Sequence, residues 1–71
     1  MDKYILWIHR LKLAQLIEEF DKVMKKHPIT IVHSSKLHGL NTVEVNIEAT
    51  GSESELKTFA DWMKHYSAYR T

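Results

Sequence analysis

Thr42-Val43-Glu44-Val45-Asn46-Ile47-Glu48-Ala49 alternates apolar and polar side chains. That is the period of a strand with one face in a core and one in water. The alternation stops at Thr50-Gly51, a turn signal, and Ser52 stands three residues before Glu55 as a capping box for a helix start. Beyond it, Leu56, Phe59, Ala60, Met63 and Tyr66 fall on one helical stripe with Trp62 on its flank. Strand, tight turn and amphipathic helix over Thr42 to Tyr66 thus form one unit. The remainder of the chain must pack against it.

Its 71 residues make room for a single domain, 1–71, and no linker. A chain of this length buries only about 60% of the surface that its unfolded form exposes, so support from a partner is expected. No cysteine is present, which removes disulfides and thiolate metal sites. Lys plus Arg number 10 against 9 Asp plus Glu, a net charge of +1, so no long-range field selects nucleic acid or acidic lipid. The longest apolar run, Tyr4 to Ile8, is far short of the roughly 20 residues that span a bilayer. These features predict a soluble, cytoplasmic protein with no membrane partner.

Tyr4-Ile5-Leu6-Trp7-Ile8 is aromatic and β-branched, which suits a strand that is apolar on both faces. The alternative is one long first helix of about 25 residues running on to Pro28, giving α-β-β-α. Such a helix would be apolar over most of its circumference, so the strand is preferred. From Leu11 to Lys26 the period is helical, with Leu13, Leu16, Ile17, Phe20, Val23 and Met24 on one stripe, and Pro28 ends it. Glu18 to Lys22 and Asp21 to Lys25 are spaced as i,i+4 ion pairs.

Ile29 to Lys36 is the next strand. A three-residue loop at His38 to Leu40 sets Ile31 opposite Ile47 and His33 opposite Val45, and it buries more than the even loops, which would expose Ile29 and Ile31. It directs His33 to the core. The order β-α-β-β-α is a split β-α-β unit. The expected fold is α+β: a ferredoxin-like arrangement with a three-stranded sheet, the first and second strands flanking the third, and both helices on the face that Val43, Val45 and Ile47 share.

The segment from Val43-Glu44-Val45 through Gly51-Ser52-Glu53 to Phe59 and Trp62 resembles the corresponding half of acylphosphatases. The resemblance implies the fold. It implies no activity, because the glycine-rich phosphate loop with its arginine has no counterpart in His9-Arg10-Leu11-Lys12.

Histidines stand at 9, 27, 33, 38 and 65, none paired at i,i+2 or i,i+4, so no metal site is expected. Ser34 and Ser35 beside His33 lack a G-x-S-x-G elbow and a nearby carboxylate, so no catalytic residues and no cofactor are assigned. Without a fourth strand, the first is an open edge carrying apolar side chains on both faces. The expected function is therefore a non-enzymatic binding module, a regulator or inhibitor of a larger complex, acting through a protein partner and as a homodimer. Tyr4, Ile5, Leu6, Trp7, Ile8, Leu37 and Leu40 are its candidate contact residues. Binding of nucleic acid through Arg10, Lys12, Lys25, Lys26 and Lys36 is the alternative, disfavoured by Glu44 and Glu48 on the exposed side of the middle strand.

Overall fold

A computed structural model describes residues 1–71. It runs β1 (Asp2–His9), a 3-10 turn (Arg10–Lys12), α1 (Leu13–Lys26), β2 (Ile29–His38), β3 (Thr42–Gly51), α2 (Glu53–Lys64) and β4 (Tyr69–Arg70). The strands form one antiparallel sheet in the order β2-β3-β1-β4. This α+β architecture is compatible with a ferredoxin-like arrangement. Residues 3–9 are strand, so the long-first-helix alternative is overturned: Tyr4 and Leu6 go under the helices while Ile5 and Trp7 turn to the other face.

The three-stranded sheet is corrected to four strands. α2 ends in a Schellman motif, with Ser67 N–H donating to the Lys64 carbonyl at 3.1 Å and Ala68 N–H to the Met63 carbonyl at 3.3 Å. Ser67 takes the left-handed conformation, φ 57°, at the position glycine usually fills. The reversal sends Tyr69 and Arg70 alongside Ile5 and Tyr4. Thr71 N–H then donates to the Lys3 carbonyl at 2.8 Å, and Arg70 Nη2 reaches Asp2 Oδ1 at 2.7 Å. The first half of the β1 edge is thereby covered.

Both helices lie on the face shared by Val43, Val45 and Ile47. The core comprises Tyr4, Leu6, Leu16, Phe20, Ile29, Ile31, Val43, Val45, Ile47, Ala49, Phe59 and Met63. Its centre is aromatic, with Phe20, Phe59 and Trp62 packed at centroid separations of 5.6 to 6.3 Å. Ser52 caps α2 by accepting from Glu55 N–H at 3.3 Å. The Glu55 carboxylate does not close the box but lies 3.3 Å from His27 Nδ1, linking α2 to the end of α1. Lys22 pairs with Glu19 at 3.8 Å, the i,i+3 neighbour, in place of Glu18.

The β2–β3 loop has three residues, Gly39 to Asn41, one position later than predicted. The register therefore slips by two, to Ile31 opposite Ala49 and His33 opposite Ile47. A slip of two preserves faces. His33 accordingly points to the helix side, half-buried, with its ring 5.8 Å from Phe20.

Candidate functional site

The β1–α1 junction and the β2–β3 turn meet at one end of the sheet. Arg10 N–H donates to the Asn41 carbonyl at 2.7 Å, and His9 Nδ1 accepts from Leu11 N–H at 3.2 Å, fixing the start of the 3-10 turn. Gly39, at φ 70°, supplies the left-handed step of the hairpin. Three leucines stand in solvent here: Leu11 at 77%, Leu37 at 58% and Leu40 at 85% exposure. Arg10, Lys12 and Lys36 are exposed at the same end.

On the open sheet face beside them, Trp7 packs against His38 with centroids 4.8 Å apart. His38 Nε2 lies 3.3 Å from Glu44 Oε1 yet has no aligned hydrogen bond, so the approach is one of proximity. Asn46 Nδ2 donates to the other Glu44 oxygen at 2.9 Å, and Lys3 Nζ lies 3.7 Å from Glu48. The acidic middle strand is thus locally compensated by its neighbours.

The hairpin also carries an open backbone edge. In an antiparallel ladder, alternate residues turn their N–H and C=O groups to opposite sides. Ile31 N–H points away from β3, toward Met24 Sδ at 3.4 Å. His33, Ser35 and Leu37 share that direction, and no strand lies beyond β2. At this end of the sheet, helix cover stops laterally at β3: Val43 and Val45, directly opposite Leu37 and Ser35, are buried at 4% and 0%, whereas Leu37 stands 58% exposed. Hence Ser34 to Leu37 are exposed on both faces of the sheet.

The predicted contact residues separate. Tyr4 and Leu6, at 4% and 0% exposure, are core. Ile5 is half-buried beside Tyr69, and Ile8 is half-buried on the helix side. Trp7, Leu37 and Leu40 stay accessible at the hairpin end, joined there by Leu11, which sequence reasoning missed. Of the cationic set, Arg10, Lys12 and Lys36 gather at this end while Lys25 and Lys26 sit at the opposite end of α1. On β1 the edge is unpaired only past Ile5, where Trp7 and His9 present backbone groups.

Elsewhere, a cleft of about 200 Å³ opens between α1, β2 and α2, lined by Val23, Ile29, Phe59 and Trp62 with His27, Glu55 and Thr58 at its rim. It matches one apolar side chain and falls below the range of roughly 300 Å³ upward for small-molecule sites. Of its polar groups, His27 Nδ1 lies 3.3 Å from a Glu55 carboxylate oxygen, and the Thr58 hydroxyl donates to the Ser54 carbonyl at 3.1 Å. No group of three or more His, Asp or Glu side chains comes together to hold a metal ion. No helix is long and apolar enough to cross a membrane. Compared with protein-family models, curated proteins and solved structures, the chain matches none.

Proposed function

We propose that this chain is a small non-enzymatic binding module that acts by associating with protein, using the hairpin end of its sheet, and that it regulates or inhibits a larger complex by occupying a surface on it. The observation that carries the reading is the coincidence, at one end, of three exposed leucines with an unpaired strand edge. Apolar side chains give affinity by leaving water, and an open edge gives main-chain hydrogen bonds to an incoming strand. Each leucine fully buried would contribute about 1.5 to 3 kcal/mol.

The test compares wild type with a Leu11→Lys, Leu37→Lys, Leu40→Lys triple variant in nuclease-treated pull-downs from the native host. All three positions are exposed, so the variant should fold. Loss of the same captured proteins in the variant is the expected outcome. Equal capture by both would sink the hairpin end as the binding surface.

A second reading, nucleic-acid binding, rests on Trp7 and Tyr69, which stand exposed on the open face at 47% and 69% and could stack on bases. Glu44 and Glu48 between β1 and β2 oppose it.

A further inference from the structure

We infer that the occupant of the β2 edge is a second copy of the same chain, paired antiparallel about a two-fold axis at Ser35, an inference that rests on the protein-association reading above. A symmetric edge pair must join residues i and j so that both copies offer outward-facing backbone groups, which on β2 are those of His33, Ser35 and Leu37. Centring on Ser35 pairs His33 with the partner's Leu37 and Ser35 with the partner's Ser35. About six main-chain hydrogen bonds form, two at each of three pairs.

The side chains fit this register. On the helix side, each Leu37 moves from 58% exposure to a place beside the partner's His33, whose ring already packs near Phe20. On the open face, Val32, also 58% exposed, comes to the partner's His38, and Lys36 faces the partner's Ser34. Small serines sit at the axis, where a bulky or charged side chain would meet its own copy.

Neighbouring registers are worse for stated reasons. Centring on Ser34 requires the Ile31 N–H, which Met24 Sδ covers at 3.4 Å. Centring on Lys36 sets two like charges opposite each other. The β1 edge offers only Trp7 and His9 beyond β4, too few for a ladder. The paired β2 edges are themselves short, which places the dimer in the weak, transient class, populated at concentrations on the order of 100 μM.

Sedimentation equilibrium between about 10 μM and 1 mM tests this with wild type, Ser35→Pro, Ser35→Lys and Tyr69→Lys. Proline at Ser35 removes an N–H that the monomer does not use, so it should leave the fold intact and weaken the dimer at least about 10-fold. Lysine at Ser35 should do the same through charge on the axis, and it decides the matter if the proline variant unfolds. Tyr69→Lys, on the opposite edge of the sheet, should dimerise as wild type does. A wild type that is monomeric at the highest concentration, or a folded Ser35→Pro or Ser35→Lys protein that dimerises as wild type does, overturns the second-copy inference. So does loss of the dimer in Tyr69→Lys alone. A monomeric wild type leaves the hairpin end to be judged by the pull-down, so the two proposals fail separately.

Discussion

Two residues carry local tension that can be measured. Tyr4 is buried against Phe59, ring centroids 5.6 Å apart, and its hydroxyl has no hydrogen-bond partner. Burial pushes the phenol pKa up, the Asp2 carboxylate adds to this, and Arg70 works the other way. Tyr66 is raised likewise, by burial first and Glu19 second. A raised folded pKa means that stability is intact below the unfolded value of about 10 and is lost as pH rises through the folded one. Tyr4→Phe should therefore be neutral or stabilising by up to about 1 kcal/mol at pH 7, because it removes an unsatisfied buried hydroxyl. It should also make the loss of stability above about pH 10 shallower, with Tyr66 sustaining the remainder. Denaturant melts at several pH values check both, and a loss above about 1 kcal/mol at pH 7 would show that the hydroxyl has a partner. Ser67, at φ 57°, is the second residue. Glycine there should stabilise the protein by about 0.5 to 1 kcal/mol, seen as a higher denaturation midpoint with unchanged slope; a destabilised variant would refute the strain.

Elements differ in how plainly the sequence announces them. β3 and α2 were legible because alternation, a turn and a Ser52 cap agree, and a single N–H to Oγ bond realises the cap. β4 was not, since Tyr69–Arg70 is too short for any period and the reversal before it uses serine where the usual signal is glycine. That omission moved the expected open edge to β1. The true open edge depends on how far across the sheet the helices reach, over Val43 and Val45 but not over Leu37 and Ser35, which no local motif encodes. Register shows a similar limit: parity put His33 on the helix side, but it cannot distinguish loops displaced by one residue whose registers differ by two. Loss of Tyr4 and Leu6 from the accessible surface follows from their place on the helix-covered face of β1, whereas Trp7 on the opposite face stays 47% exposed. The edge assignment has its own test at this scale. Amide exchange on the monomer should alternate along β2, with Val32, Ser34 and Lys36 protected by β3 and with His33, Ser35 and Leu37 exchanging faster. Uniform protection would mean that the edge is covered.

At the scale of the whole molecule, the distribution of charge matters more than its sum. The candidate cations split into Arg10, Lys12 and Lys36 at the hairpin end and Lys25 and Lys26 in the last turn of the 14-residue α1, about 20 Å away. At physiological salt the Debye length is about 8 Å, so the clusters act separately. Between them the open face presents Glu44 and Glu48, each beside a histidine or lysine. A cluster of three cations engages few phosphates. Labelled single-stranded RNA and duplex DNA titrated at about 150 mM salt should thus bind no tighter than the micromolar range, without sequence preference, and with a salt slope no steeper than about −3. Trp7→Ala should change this little, because the ring is half-covered by His38 and flanked by Glu44. Submicromolar, sequence-selective affinity that disappears in Trp7→Ala would instead make the open face a nucleic-acid surface, and the exposed leucines would then need another explanation.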